Sequence, residues 1–176
     1  NYTIKLQTEY SFLAKKFNLE PIDGALFKFS KTRPANFPTL RLAQFAALVH
    51  TSTHLFSKLM ETPKPTKLKK LLEIKASPYW DNRFRPSVAA ENGKNMLGDD
   101  AVNNILINTV APFFFAYGLI KSDDEYKYRA MDLLEALPKE NNRIIRGYET
   151  MGIKVASASE SQALLQMHKH WCAPQK

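Results

Sequence analysis

The stretch Asp99-Asp100-Ala101-Val102-Asn103-Asn104-Ile105-Leu106-Ile107-Asn108-Thr109-Val110-Ala111-Pro112-Phe113-Phe114-Phe115-Ala116-Tyr117-Gly118 decides the fold class. Val102, Ile105, Leu106, Val110, Phe113, Phe114 and Tyr117 recur at helical spacing, and Ile107, Ala111 and Phe115 add apolar bulk on the other faces. A helix apolar nearly all round is a buried, central one. Asp99 and Asp100 stand at its start, where carboxylates meet the positive end of the macrodipole. Pro112 lies inside and is expected to remove a backbone hydrogen bond and bend the helix.

Outward from this segment the helical period continues in both directions. Upstream, Leu6, Tyr10, Leu13 and Phe17 share one face of a first helix that Pro21 and Gly24 end. Phe27 and Phe29 alternate with Lys28 and Ser30, a short extended piece. Arg33-Pro34-Ala35-Asn36-Phe37-Pro38-Thr39 forbids regular helix, and Thr39 is placed to cap the helix carrying Leu42, Phe45, Ala46 and Val49. Thr51-Ser52-Thr53 breaks the pattern before Leu55, Phe56, Leu59 and Met60 resume it, and Pro63 and Pro65 stop it. Residues 66–72 form a further short helix, with Leu68, Leu71 and Leu72 inward and lysines outward. Residues 77–98 hold little periodicity and read as one long irregular loop, the segment most open to disorder. Downstream, Ser122-Asp123-Asp124-Glu125 reads as a capping box for a helix with Ala130, Met131, Leu134 and Leu137. Ile144, Ile145, Tyr148 and Met151 mark a helix closed by Gly152, and Ser159-Glu160-Ser161-Gln162 reads as a second capping box ahead of Leu164, Met167, His168 and Trp171. The sum is an all-α chain: residues 1–176 as a single compact domain of about seven or eight helices, with at most a minor β element near Phe27.

Composition agrees with a globular chain. With 176 residues, 44% apolar and 24% charged, it is too apolar for a disordered tail and long enough to bury a core without disulfides, which its single cysteine excludes in any case. No stretch reaches the run of about 18 uncharged apolar residues expected of a membrane span, and the start Asn1-Tyr2-Thr3-Ile4-Lys5 has no secretory pattern, so a cytoplasmic location is expected. The chain opens without Met, and it is expected to be a piece of a longer protein. The 25 basic residues outnumber the 17 acidic ones, leaving +8. Residues 24–60 contain no Asp or Glu but hold Lys28, Lys31, Arg33, Arg41 and Lys58. Lys64, Lys67, Lys69, Lys70 and Lys75 then face the single Glu73. Such an imbalance suits a polyanion, since each neutralised phosphate releases counterions. The alternative is a solvated face that maintains solubility.

The residues alone identify no reaction. No glycine-rich phosphate loop and no nucleophile elbow is present, so catalytic residues are not assigned and an enzyme is not expected in this fragment. His50 and His54 are four apart, but Thr51-Ser52-Thr53 between them favours a helix break over metal geometry. His168, His170 and Cys172 form a second, incomplete set. Polar residues in apolar surroundings are more informative. Asn104 and Asn108 share a face of the central helix, and Asn108 reads as buried, with Arg33, Asn36, Arg41 and Gln44 or Glu140, Asn141 and Arg143 as partners. The set fixes loops on the core or lines a polar cleft. Tyr79 and Trp80 beside Arg83 and Arg85 read either as an aromatic and basic patch that stacks on bases, or as a loop anchored by two buried rings.

Arg33-Pro34-Ala35-Asn36-Phe37-Pro38-Thr39 with Arg41-Leu42-Ala43-Gln44, then Pro78-Tyr79-Trp80, Asn104 through Tyr117-Gly118, Glu140-Asn141-Asn142-Arg143 and Ser161-Gln162-Ala163-Leu164 resemble, in order, the uncharacterised bacterial family called domain of unknown function two-eight-five-one. The resemblance implies the C-terminal part of a longer protein whose upstream domain is similar to restriction-endonuclease-like nucleases. It also implies that Cys172 is the first of a cysteine cluster able to hold zinc or an iron–sulfur centre in the full-length chain, with no metal site and no cofactor in this fragment. The expected function is a non-catalytic helical module that assists nucleic-acid engagement through Lys64, Lys67, Lys69, Lys70, Tyr79, Trp80, Arg83 and Arg85, beside an upstream domain of the same protein and with no membrane partner. The alternative is a structural or protein-interaction module with no nucleic-acid role.

Overall fold

The computed structural model describes residues 2–30, 32–86, 88–90, 93 and 95–173. Lys31 of the basic run and four positions of the irregular loop, Ser87, Glu91, Asn92 and Lys94, lie outside the described residues. The architecture is all-α. Its helices are α1 (Tyr2–Phe17), α2 (Pro38–Thr51), α3 (Leu55–Glu61), α4 (Pro65–Leu71), α5 (Asp99–Lys121), α6 (Asp124–Ala136), α7 (Arg143–Thr150) and α8 (Ala158–Met167), the last running on into a π turn, His168–Cys172. The long irregular segment is present, organised by the single-turn helix Pro78–Trp80 and a small antiparallel hairpin of β1 (Arg83–Arg85) and β2 (Val88–Ala89). The minor β element therefore lies here rather than near Phe27. Phe27 instead ends a 3-10 turn, Gly24–Leu26, and Phe29 packs edge-on against Phe37 with ring centroids 5.3 Å apart.

Several helix starts differ from the sequence expectation by one or two residues. Pro38 opens α2 with its fixed φ, and the Thr39 hydroxyl donates to the Phe84 carbonyl instead of capping the helix. Asp123, not Ser122, caps α6 by accepting from the Glu125 N–H, while Ser122 takes φ 54° at the end of α5. The capping box of α8 is Ser157 with Glu160: Ser157 Oγ accepts from the Glu160 N–H and the Glu160 carboxylate accepts from the Ala156 N–H. Asn142 caps α7, and Gly152 closes it at φ 87°, a left-handed conformation only glycine adopts without strain.

The chain forms two compact units. The first comprises residues 1–53 and 74–97, the second 54–73 and 98–176, so no single cut in the sequence separates them. In the first unit Leu40, Ala76 and Trp80 are buried and Tyr2, Ala43, Tyr79 and Phe84 pack around them. This core is small. The face of α1 that holds Leu6, Tyr10, Leu13 and Phe17 forms as a helix but stays exposed, as do Leu42, Phe45 and Val49 of α2.

The second unit is built on α5. Val102, Leu106, Val110, Phe114 and Gly118 are buried at intervals of four. In a regular α-helix a four-residue step overshoots a full turn by about 40°, so such a stripe would wind around the helix. A π turn at Leu106–Val110 underwinds the chain and holds the stripe on one side. The turn ends two residues before Pro112, so the wide stretch absorbs the proline and the helix continues to Lys121. A Cβ on Gly118 would lie 2.7 Å from the Asp123 carbonyl oxygen, which lets α6 fold back directly onto α5. By length and composition α5 is long and apolar enough to cross a membrane, which corrects the expectation that no segment is. A core helix passes the same test, and this one buries Leu106, Ile107, Val110, Ala111 and Phe114.

Arg129 on α6 fixes α3 to this unit. Its guanidinium donates to the carbonyls of Met60 at 2.7 Å and Thr62 at 3.0 Å, and lies over the rings of Phe114 and Tyr126 at 4.8 and 5.0 Å. These are carbonyls at the C-terminus of a helix, where partners are missing and a cation is favoured. Arg129→Met is expected to lower the stability of the folded chain by about 2–3 kcal/mol, the value of hydrogen bonds to a charged group, read as a lower urea midpoint. Arg129→Lys, which cannot reach both carbonyls from one planar group, is expected to recover less than half of that loss.

Candidate functional site

Of the polar residues singled out in the sequence, Asn36, Arg41 and Gln44 come together in the first unit. Arg41 donates to Asn36 Oδ1 at 2.5 Å and Gln44 Oε1 at 2.9 Å, and Gln44 Nε2 donates to the Asn95 carbonyl at 3.1 Å. Asn95, which the sequence reading missed inside the irregular loop, is 4% exposed, and its amide donates to the Ala76 carbonyl at 3.1 Å and Asp81 Oδ1 at 2.7 Å. Lys75 approaches the same carboxylate oxygen at 3.6 Å. Burial lowers the Arg41 pKa from the ordinary arginine value, and its two bonded acceptors are neutral amide oxygens. The network joins the 74–97 stretch to α2 through main-chain carbonyls. Arg33 is exposed, and among the described residues its side chain takes no part in the network; its carbonyl accepts from the Asn36 N–H in the turn Pro34–Asn36.

The aromatic and basic patch is also committed to the first unit. Trp80 is 5% exposed, its Nε1 donating toward the Tyr2 hydroxyl at 3.4 Å, so it is a core ring and not a platform for bases. Tyr79 stacks on Tyr2 at 3.8 Å and carries the Arg83 guanidinium over its ring at 5.0 Å, while Arg83 also donates to the Tyr79 carbonyl. Arg85 lies over Phe29 and Phe37, at 4.8 and 4.9 Å. This corrects the stacking role expected of Trp80. The physical reason is that Trp80 is itself part of the buried cluster with Leu40 and Ala76, against which Tyr2, Tyr79 and Phe84 pack.

In the second unit Asn108 is exposed, which corrects its expected burial. Asn104, Asn108 and Pro112 fall on the side of α5 opposite the buried stripe, and all three are exposed. The expected partner does meet Asn108: its amide donates to Glu140 Oε1 at 3.4 Å and to the Asn104 carbonyl at 3.2 Å. Glu140 is the hub, with Oε2 accepting from Gln162 Nε2 at 2.5 Å and its N–H donating to the fully buried Ser161 Oγ. Asn141 accepts from Arg146 at 2.8 Å. The three lysines of α4 and its N-cap Lys64 surround a buried pair of leucines. Leu68 and Leu72 are 1% and 2% exposed, whereas Lys64, Lys67 and Lys70 are exposed and Lys69 half-buried. Among the described residues none of the four has an ion pair.

A cleft of about 560 Å³ opens beside α7, lined by Arg143, Ile144, Gly147, Tyr148 and Met151 together with His168, Cys172 and Ala173 from the π turn after α8. The sequence put His168 and Cys172 on one face, and both line the cleft; Tyr148 joined them only through the fold. Its hydroxyl lies 3.6 Å from Cys172 Sγ and its ring meets His168 edge-on. The hydrogen bond with Cys172, then burial, then the thiol's charge raise the Tyr148 pKa above the ordinary tyrosine value. His50 ends α2 while His54 takes φ 59° past the break, so the pair has no shared helical face. Among the described residues no group of three His, Cys, Asp or Glu is placed to hold a metal ion.

Fold and side-chain networks thus define an all-α protein of two units, each drawn from two stretches of the chain and each holding its own polar cluster. The chain belongs to the family described as Protein of unknown function (DUF2851), whose model matches residues 1–143 and so ends at the first residue of α7. No curated protein and no solved structure matches the chain.

Two outcomes test this geometry. Asn108→Ala is expected to change stability by less than about 0.5 kcal/mol, as an exposed position does, while Asn95→Ala, which strands the Ala76 carbonyl and Asp81, costs about 1–3 kcal/mol in the same urea titration. For Tyr148, a raised phenol pKa means the folded state holds the proton more tightly than the unfolded one. Its contribution to stability is present up to the ordinary tyrosine value near 10 and is lost as pH rises through the raised value. Carbon-13 NMR of labelled tyrosine is expected to show Tyr148 titrating above free tyrosine, and Cys172→Ala to bring it back down.

Proposed function

We propose that the chain is a non-catalytic helical module that engages nucleic acid through the phosphate backbone. The observation that carries the reading is the surface of α4 and its cap: Leu68 and Leu72 are buried, Lys64, Lys67 and Lys70 are exposed and Lys69 half-buried, all four free of ion pairs among the described residues. Four cations on a seven-residue helix and its cap give a compact positive surface, and within residues 64–75 the single acid is Glu73. With Trp80 in a core and Tyr79 stacked on Tyr2, binding rests on charge rather than base stacking. It is accordingly weak, indifferent to sequence and similar for single and double strands.

A second reading, a protein-interaction module, is favoured by the exposed apolar faces of α1 and α2, where Phe12, Phe17 and Phe45 are 61%, 59% and 62% exposed. Fluorescence anisotropy with single- and double-stranded oligonucleotides separates the two. On the first, log affinity falls with log salt at a slope of about −3 to −4 for four neutralised phosphates, and Lys67→Glu, Lys69→Glu and Lys70→Glu together weaken binding equally for all sequences. Absence of binding at low salt, or binding untouched by these reversals, leaves the second.

A further inference from the structure

The cleft beside α7 has features that the nucleic-acid reading does not use. Arg143, Ile144, Gly147, Tyr148 and Met151 recur at helical spacing, so one face of α7 forms its wall and floor, and the π turn His168–Cys172 forms the other side. Ile144, Gly147, Met151 and Ala173 make the lining largely apolar. None of the lining residues is acidic, and the cationic one, Arg143, is exposed at the first turn of α7 with no ion pair among the described residues. Of the charges close by, Lys139 pairs with Glu149, and Arg146 donates to the amide oxygen of Asn141. The size, about 560 Å³, lies within the range of small-molecule sites.

Gly147 supplies an independent observation. A glycine in the middle of a helix costs stability relative to alanine and is usually explained by a neighbour too close for a Cβ. Here a Cβ at Gly147 would meet nothing within 4 Å, so no part of the described chain requires the glycine. Its missing side chain keeps the floor of the cleft open. The π turn acts on the other side, since such turns displace side chains from regular helical positions; His168 and Cys172 are both brought to the cleft.

We propose that this cleft binds a small organic anion with an apolar body, of the class of a medium-chain carboxylate, its head on Arg143 and its chain over Gly147 between Ile144 and Met151. The Tyr148 hydroxyl and His168 imidazole lie beyond, as polar groups that orient the ligand.

Cys172 is the only cysteine of the chain and lines the cleft, so its reaction with neutral iodoacetamide reports occupancy of this site alone, whatever the exposed faces of α1 and α2 adsorb. Saturating decanoate is expected to slow alkylation of Cys172 about tenfold, and the same concentration of decanol to leave it unchanged. Arg143→Gln is expected to raise the decanoate concentration for half-protection about tenfold, the loss of one charge-assisted contact. Gly147→Leu, which fills the floor, is expected to abolish protection while keeping the helical circular-dichroism spectrum. No slowing by decanoate overturns the proposal, as does equal slowing by decanol or protection unchanged in Arg143→Gln. Arg143 is exposed and unpaired among the described residues, so its variant stands as a test even where Gly147→Leu disturbs folding.

Discussion

Each compact unit is drawn from two separate stretches of chain, and each depends on a polar side chain that binds main-chain carbonyls across the gap in sequence. In the second unit this is Arg129, which reaches from α6 to the Met60 and Thr62 carbonyls at the C-terminal end of α3 and rests on Phe114. In the first it is Gln44 of α2, whose amide donates to the Asn95 carbonyl, while the Asn95 amide in turn holds the Ala76 carbonyl within the 74–97 stretch. Short helices such as α3 and α4, seven residues each, are too short to be stable by propensity alone. Arg129 supplies α3 with what its C-terminus lacks. Leu68 and Leu72 do for α4 by burial what Arg129 does for α3 by hydrogen bonding.

The helical class was legible because the apolar residues of the sequence recur at helical spacing, and breaks at Ser52, Pro63 and Gly152 are written in residues with few other uses. Caps were less legible. Ser122-Asp123-Asp124 and Ser157-Ala158-Ser159 each offer more than one side chain able to accept a backbone N–H, and only the approach of the preceding chain chooses among them. Asn108 was misread because Ile105 and Ile107 flank it and hide the exposed line Asn104–Asn108–Pro112; a sequence apolar on every face does not show which face is the wet one.

The polar networks were half visible for a related reason. Arg41 with Asn36, and Glu140 with Asn108, pair side chain with side chain and left a trace in the sequence. Asn95 and Arg129 bind main-chain carbonyls, which every residue carries and no sequence distinguishes. The cleft was hidden further, since Tyr148 reads as one more core aromatic until α8 and its terminal turn bring the Cys172 thiol to its hydroxyl. The basic stretch, by contrast, was legible as charge. What the structure added was the sorting of those charges: Arg41, Arg83 and Arg85 are bound to amides, a carbonyl and rings, while Arg33, Lys64, Lys67 and Lys70 stay on the surface.

The π turn of α5 has a consequence for how this chain tolerates change in length. In a regular helix, removing one residue rotates everything beyond it by about 100° and carries its buried stripe off the core. Leu106–Val110 already holds one residue more than a regular turn would. A deletion there is therefore absorbed by tightening to ordinary helix, with Phe114 and Gly118 nearly keeping their orientation, while the same deletion near Tyr117 has no slack to draw on. Between Leu106 and Val110 the central helix carries a spare residue, and its length is least constrained where its side chains are most deeply enclosed.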